Sequence, residues 1–286
     1  MSSNRLKLAI VARHPSVHVQ DGWAELSRFL EKQESVDIVA TAITEDLSAD
    51  GLDIDLVVVL GGDGAILRAC RQLRTNQRPI IGINFGRLGF LADLSLEEFR
   101  DRFDAIKNGE FQVIEHLMFE CELLHSDGTS EKFLGLNETV LSSAAAVGMI
   151  DINLAINDEP VTTYSGDGLI ISTPVGSTGH SLSAGGPLLK QDLNAFVITP
   201  ICPHALTNRP LIDHADVVFT LTLPEVREGV TLVIDGQIRR PLMEGDSVQI
   251  RKADFTFKLA KTHGHSYYST LNKKLGWGGQ PRYRNR

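Results

Sequence analysis

The chain has 286 residues, 28 Lys and Arg against 36 Asp and Glu, a formal net charge of −8 and 42% hydrophobic residues. This apolar fraction excludes a disordered chain, the length suggests about two domains, and the acidic balance argues against a general nucleic-acid binder. Three distant cysteines without a CxxC pair indicate reduced thiols, and no apolar run approaches the ~18 residues of a membrane span, so we predict a cytoplasmic protein with no membrane segment.

The first 110 residues alternate apolar strand patterns with helical patterns, which is typical of an α/β domain with a doubly wound parallel sheet. Ile54–Leu60 is apolar on both faces, as expected for a central parallel strand. A capping box at Ser95–Glu98 opens a helix that Gly109 ends. We predict strands at 7–12, 36–42, 54–60 and 79–83, and helices around 23–30, 65–73 and 96–106.

Residues 111–262 are predicted to form a second, all-β domain. Short alternating strands are separated by turn residues, including hairpin signals at 126–128 and 157–158. A short helix near 181–184 is the exception. The segment 263–286 is a basic and aromatic tail, and the sequence does not decide whether it packs back on the first domain. Its His263 and His265 supply only two metal ligands, which is more typical of a solvated face.

A first glycine cluster, Gly61–Gly64, lies directly between the apolar strand and a helix and encloses Asp63. Ligands of open α/β sheets bind beyond such strand ends, and the helix N-terminus offers N–H groups to a phosphate. Asp63 can accept a proton from an attacking hydroxyl or hold a metal that bridges phosphates. Alternatively, it is the N-cap of a tight turn. Arg68, on the same helix face as Gly64, can add positive charge. Leu67 replaces the third glycine of a dinucleotide-binding fingerprint, which argues against a dehydrogenase.

Two further elements also indicate a binding site. The segment 165–187 is dense in hydroxyls and glycines, which suits a polyhydroxylated or phosphorylated ligand, and its interleaved apolar residues disfavour a linker. Asn137–Glu138 follows an apolar run. An amide suits a nucleobase edge and a carboxylate accepts from ribose hydroxyls, although a solvated turn would be the default for such a pair.

These elements resemble, in this order, the NAD kinase family. The resemblance runs from about residue 55 to residue 277. Within this range it also includes the segments 82–84, 88–91, 235–237 and 270–277. The GGDG loop alone is shared with diacylglycerol-type lipid kinases and phosphofructokinases, whereas the combination is specific to NAD kinases. The resemblance implies an α/β domain followed by a β-sandwich, a site shared by the two domains, and a homodimer or homotetramer.

The resemblance also implies the reaction, which is transfer of phosphate from ATP to the 2′-hydroxyl of the adenosine ribose of NAD, with Mg²⁺, giving NADP. Asp63 is then the catalytic proton acceptor, and no metal ligand is identified. The implied substrate-binding residues are Asp63, Gly64, Arg68, Asn137, Glu138, Asp167, Val175, Thr178, Gly179, His180, Ser181, Leu182, Ser183 and Gln237, with Phe90 and Ser165 as further candidates.

Two positions depart from the family pattern. His180 replaces a tyrosine that packs at the dinucleotide pocket, and Ser165 stands where some bacterial relatives carry arginine. These changes leave open whether NAD or NADH is the preferred substrate. The sequence also leaves open whether ATP or polyphosphate is the phosphate donor. The alternative functions are a lipid kinase with the same GGDG loop and a non-catalytic dinucleotide-binding regulator.

Overall fold

The computed structural model describes residues 5–12, 16–86, 89–143, 149–262 and 266–276. The chain divides into two compact units. The first comprises the described residues up to Ile114 together with those from Lys258 onward, and the second comprises Glu115–Phe257. Within the described ranges, no helix is both long and apolar enough to cross a membrane. The His263 and His265 pair, Leu88 and Trp277 lie outside the described residues.

In chain order the elements are β1 (Leu6–Ala12), α1 (Val17–Leu30), β2 (Val36–Ala42), β3 (Leu56–Leu60), α2 (Asp63–Leu73), β4 (Ile80–Ile83), α3 (Leu96–Asp101), α4 (Phe103–Lys107), β5 (Gln112–His116), β6 (Phe119–Leu124), β7 (Ser130–Gly135), β8 (Glu138–Ser143), β9 (Ile150–Ile156), β10 (Glu159–Gly166), β11 (Gly168–Ser172), a 3₁₀ turn (Gly176–Thr178), α5 (His180–Ser183), β12 (Ala195–Ile201), β13 (Leu211–His214), β14 (Phe219–Thr222), β15 (Val230–Ile234), β16 (Ile238–Pro241), β17 (Ser247–Lys252), β18 (Phe257–Lys261) and α6 (Tyr267–Leu275).

The first unit contains a six-stranded sheet in the order β2-β1-β3-β4-β18-β5. Strands β2, β1, β3 and β4 pair in parallel, and β18 is parallel to β4. All five residues of β3 are buried because both faces of this central strand are covered, as its apolar sequence predicts. In this order, β2 lies on one side of β1, and β3 and β4 lie on the other side. The direction in which strands are added therefore reverses at β1, which gives the sheet a topological switch point between β1 and β3.

The helix predicted over 96–106 is divided into α3 and α4 at Arg102, whose backbone leaves the helical region at φ −100° and ψ 5°. The apolar stripe survives the break, since Phe99, Phe103 and Ile106 are all buried in the core of the unit. Both halves of the capping box at Ser95 and Glu98 are present, as predicted.

The sequence pattern predicts domain boundaries after residues 110 and 262, whereas the structure places β5 and β18 in the first sheet. Leu259 of β18 pairs with Ile80 of β4. Alternating apolar residues specify which face of a strand is buried but not which strand it pairs with, so the pattern could not assign these strands to a sheet. The described part of the tail packs on the first unit, where the Lys274 ammonium lies 4.3 Å from the ring centroid of Phe90.

The second unit consists of two six-stranded antiparallel sheets, β10-β9-β14-β17-β6-β7 and β13-β12-β11-β8-β15-β16. One hydrophobic core joins their inner faces, with Phe119 and Phe219 from one sheet and Phe196 from the other. This is the predicted β-sandwich. The predicted hairpin turn between β9 and β10 has positive φ at Asn157 (50°) and Asp158 (65°), as a tight hairpin requires.

Candidate functional site

The first unit has an open pocket of about 430 Å³ at the carboxyl ends of β1, β3 and β4. This is the crevice at the topological switch point, where open α/β sheets bind their ligands. Gly62 is the N-cap of α2 and provides no side-chain cap to the helix, so a ligand oxygen can approach the first turn. The lining residues are Ser16, His18, Val19, Leu60, Gly61, Gly62, Gly64, Ala65, Asn84, Phe85 and Gly86.

Asp63 is the first residue of α2, and its carboxylate accepts three backbone N–H groups from the following loop. Oδ2 accepts from Phe90 at 2.8 Å, and Oδ1 accepts from Leu91 at 3.0 Å and from Ala92 at 2.9 Å. A carboxylate has about four acceptor positions, so a position on Oδ2 remains for a further donor. A Cβ at Gly89 would lie 2.0 Å from Oδ1, which explains the glycine. The GGDG loop and the loop carrying Phe90 therefore form one structure.

The sequence suggested that Arg68 faces phosphates, and the structure gives it an acidic neighbour that the sequence did not reveal. Its Nη2 lies 2.6 Å and its Nε 3.1 Å from Oδ1 of Asp46. The hydrogen bond from Arg68 lowers the pKa of Asp46. The guanidinium is thus held at the edge of α2, and a phosphate that uses Arg68 must share it with this carboxylate.

In the second unit, the Leu136–Glu138 turn is fixed by Asp235, a residue between β15 and β16. Oδ1 of Asp235 accepts the backbone N–H groups of Leu136 at 3.1 Å, Asn137 at 2.8 Å and Glu138 at 3.3 Å. In return, the Asp235 N–H donates to the Glu138 carbonyl at 2.9 Å. The resemblance to the family includes residues 235–237, but it implies a binding role only for Gln237 and none for Asp235. Its signal was available, since an Asp-Gly pair after an apolar strand predicts a turn with positive φ, and Asp235 has φ 50°.

The other side of the same turn packs against the glycine-rich segment. The Asn137 carbonyl accepts the Thr173 N–H at 2.9 Å and the Ser172 hydroxyl at 3.2 Å. A Cβ at Gly176 would lie 2.1 Å from that carbonyl oxygen, so only glycine permits the approach. Three motifs that are distant in sequence therefore meet at Asn137 and Glu138.

Glu138 is almost fully buried, with 6% of its surface exposed. Its Oε2 has no hydrogen-bond partner among the described residues. Burial, together with the nearby charge of Asp235, raises the pKa of Glu138 to about 8, while a hydrogen bond from the His180 backbone N–H acts in the opposite direction. A buried carboxyl with an open oxygen is suited to hydrogen bonding with a polar ligand.

A pocket of about 540 Å³ extends from Glu138 across the outer face of β8, β15 and β16. It combines apolar side chains with hydroxyls and one guanidinium, which suits a ligand that has both aromatic rings and polar groups. His180 is exposed at the start of α5 and forms part of the wall. The lining residues are Glu138, Val140, Ser142, His180, Thr231, Val233, Gly236, Arg239 and Pro241.

The remaining predicted residues occupy several environments. Val175 and Ser181 are buried, and the Ser181 hydroxyl pairs with Thr199 at 2.9 Å, so both help to build the segment. Asp167 is exposed on the β10–β11 turn, and its hydrogen bond with Cys202, together with its charge, raises the pKa of Cys202. The hydroxyl of Ser165 donates to Asp151. Thr178, Gly179, Leu182 and Gln237 are half-buried and Ser183 is exposed.

Across the residues that the structure describes, no group of three or more His, Cys, Asp and Glu side chains is arranged to hold a metal ion. Mg²⁺ in phosphoryl-transfer sites takes most of its ligands from phosphates and water, with one or two carboxylates from the protein. The single carboxylate of Asp63, beside the pocket of the first unit, fits that requirement.

Two family models match most of the chain. The ATP-NAD kinase N-terminal domain matches residues 9–111, and the ATP-NAD kinase C-terminal domain matches residues 136–262. An NAD kinase of Rhodopirellula baltica is 40% identical over 96% of this chain and 88% of its own length. An NAD kinase of Geobacter metallireducens is 37% identical over 95% of this chain and 99% of its own.

Two solved structures share the fold. A yeast NADH kinase, crystallised with NADH, superposes with a TM-score of 0.89 at 21% identity over 99% of this chain and 90% of its own. An NAD kinase from Archaeoglobus fulgidus, crystallised with ATP, has a TM-score of 0.74 at 27% identity over 95% of this chain and 99% of its own. Fold, site and relatives together define a phosphotransferase. The chain belongs to the ATP-NAD kinase family.

Proposed function

We propose that this protein transfers the γ-phosphoryl group of ATP to the 2′-hydroxyl of the adenosine ribose of NAD, giving NADP and ADP. The observation that carries the proposal is the Asp63 carboxylate, which is fixed by three backbone N–H groups and lies in the loop whose glycines line the switch-point pocket. Family membership favours this activity over a lipid kinase and over a non-catalytic regulator.

In this mechanism, the ribose oxygen attacks the γ-phosphorus, an O–P bond forms, and the bond from that phosphorus to the β–γ bridging oxygen breaks. The hydroxyl proton passes to the open position on Oδ2 of Asp63, and ADP leaves. The backbone N–H groups hold the carboxylate in a single orientation, so little reorganisation is needed when the proton moves. The phosphates of ATP lie against the Gly61–Gly64 loop, with Arg68 supplying positive charge.

The second unit binds the dinucleotide. Asn137 and Glu138 hydrogen-bond to it, His180 stacks against a ring, and the half-buried or exposed residues of 178–183 and Gln237 complete the contacts. Val175 and Ser181 support these contacts from the core. Asp167 lies toward the nicotinamide end, with Ser165 beside it in sequence.

We also propose the conditions under which the enzyme works. Mg²⁺ bound with ATP would be held mainly by the phosphates and water, beside Asp63, and would supply positive charge to the transferred phosphoryl group. The protein is a cytoplasmic homodimer or homotetramer. The three cysteines form no disulfide, and Cys202 is exposed, which suits a reducing compartment.

The test is an assay of the purified protein with NAD, ATP and Mg²⁺, in which an NADP-specific dehydrogenase detects the product. Parallel reactions replace ATP by polyphosphate and NAD by NADH. Asp63→Asn is expected to lower kcat by about 100-fold or more, the usual effect of losing an acid–base catalyst. NAD affinity, measured by calorimetry, should change far less than kcat.

The control is Asp104→Asn, which removes an exposed carboxylate from α4 of the same unit and should leave kcat unchanged. Phosphorylation of a lipid with none of NAD would favour the lipid kinase. Tight NAD binding without turnover with any donor would favour the regulator. Near-normal turnover by Asp63→Asn would exclude Asp63 as the proton acceptor.

A further inference from the structure

Asp235 and Glu138 are two buried carboxyl groups at the Leu136–Glu138 turn, and the charge of Asp235 acts on Glu138. They are 5% and 6% exposed, respectively. Both oxygens of Asp235 lie within hydrogen-bond distance of backbone N–H groups, which can only donate to it. Oε2 of Glu138 has no such donor among the described residues. Two buried carboxyl groups that repel each other are energetically costly to ionise together. The backbone N–H donors stabilise the negative charge on Asp235 rather than on Glu138.

We propose that Asp235 is a positioning residue that builds the Leu136–Glu138 turn and keeps the buried Glu138 carboxyl protonated, so that Glu138 meets the dinucleotide as a hydrogen-bond donor. The proposal rests on the proposed function, which supplies NAD as the ligand. A protonated carboxyl can donate to an acceptor oxygen of NAD, and it does not repel the pyrophosphate as a second negative charge would.

The surroundings of Glu138 agree with this assignment. The nearby charge of Asp235, on the β15–β16 turn, acts on Glu138, and the side chains of His180 at the start of α5 and Arg239 on β16 line the same pocket as Glu138. Burial and Asp235 raise the pKa of Glu138 to about 8, and the hydrogen bond from the His180 backbone only partly opposes them. At neutral pH the acid form therefore predominates.

The test is calorimetric titration of the full-length protein with NAD, without ATP, between pH 6 and 9. Wild-type affinity should be constant near neutrality and weaken above pH 8, approaching a tenfold loss per pH unit. Glu138→Gln retains a donor and cannot ionise, so its affinity should lie within about threefold of wild type at pH 7 and stay constant to pH 9. If Glu138 instead binds as a carboxylate acceptor, wild-type affinity rises through pH 8 and Glu138→Gln loses tenfold or more.

Asp235→Asn removes the negative charge at this position and keeps a side chain of nearly the same shape, so it tests the effect of the charge alone. Asparagine tolerates positive φ and keeps one oxygen to accept the N–H groups of the turn. Without the negative charge, Glu138 should ionise at lower pH, and the pH at which NAD binding weakens should fall. The matched control is Asp246→Asn, another buried carboxylate that accepts backbone N–H groups at a turn, from Ser126 and Met243. It should keep the wild-type profile. If Asp235→Asn weakened NAD binding by the same factor at every pH, the proposal that the charge of Asp235 keeps Glu138 protonated would be overturned.

A second readout does not need NAD. In the unfolded chain Glu138 ionises near its ordinary pKa of 4.5, whereas in the folded protein it ionises at about 8. Between these values the folded state binds the extra proton, so its stability falls as pH rises. The melting temperature of Glu138→Gln relative to wild type should therefore rise from pH 5 to 8 and then level off. A constant difference above pH 5 would overturn the proposal, whereas a rising difference without NAD binding would overturn the proposed function instead.

Discussion

Each of the two units has, in its own candidate binding region, an aspartate that accepts the backbone N–H groups of a neighbouring loop. Asp63 holds the loop of Phe90 in the first unit, and Asp235 holds the turn of Asn137 in the second. Hydrogen bonds to an ionised acceptor are among the stronger ones in proteins, so each carboxylate fixes several residues at once. Replacing either aspartate by a residue without a side-chain acceptor therefore alters both the chemistry and the geometry of its loop.

His180 permits a test at the residue scale, because its exposed ring forms part of the wall of the second-unit pocket. Stacking of a base on an aromatic side chain contributes about 1–3 kcal/mol. His180→Ala is therefore expected to raise the KM for NAD by roughly tenfold with a smaller change in kcat, and His180→Tyr should restore it. The measurement is steady-state kinetics with NAD varied at saturating ATP.

The control is His214→Ala, which removes a largely exposed ring that pairs with Asp216 in the same unit. Its KM for NAD should equal that of wild type. An unchanged KM in His180→Ala would show that the ring does not contact the dinucleotide.

At the scale of elements, the second-unit site depends on close approaches between backbone segments. The 3₁₀ turn that starts at Gly176 packs directly on the Asn137 carbonyl, and β11 leads into it from the core. These contacts leave no room for a side chain at Gly176. The positions of Asn137 and Glu138 are consequently set by neighbouring backbone rather than by their own local sequence.

Gly176→Ala tests this dependence, because its Cβ would lie 2.1 Å from the Asn137 oxygen and must displace the turn. We expect NAD affinity to fall by at least about tenfold, measured by calorimetry. Gly185→Ala is the control. Its Cβ meets no atom within 4 Å, so its cost is the strain of φ +87°, about 1 kcal/mol of stability, with NAD affinity retained. Equal NAD affinity in the two variants would contradict the prediction.

On the scale of the whole molecule, the first unit is completed by the far end of the chain. Strand β18 lies between β4 and β5 in the first sheet, and its Phe257 and Leu259 are 0% and 1% exposed. The chain leaves the first unit after Ile114 and returns at Lys258. The first unit therefore cannot complete its sheet until the entire second unit has been synthesised.

This connectivity predicts different results for two truncations. A chain ending at Thr262 keeps β18 and should retain the folded first unit, with a lower melting temperature because α6 is lost. A chain ending at Thr256 removes β18 and leaves unpaired strand edges and a cavity in the sheet. Limited proteolysis should then digest residues before Ile114 quickly while the second unit resists. Equal protection of the first unit in both chains would show that β18 is dispensable.

The sequence by itself determined the class of each domain, and it supplied the proposed residues of the candidate site. Periodicity is a local property, so the covered strand Ile54–Leu60 and the hairpin at Asn157 could be predicted from neighbouring residues. The combination of glycine-rich motifs likewise indicated the family before any contact was known. Phe90 was a candidate from its motif alone.

Only the tertiary structure decided which segments meet. Neither the pairing of β18 with β4 nor the hydrogen bond from Phe90 to Asp63 leaves a local pattern, because each joins residues far apart in the chain. The charge state of Glu138 follows from its burial and from Asp235, almost a hundred positions away. The acidic balance was visible in the composition, but the environment of each carboxylate, and hence its role, is set by residues brought to it by folding.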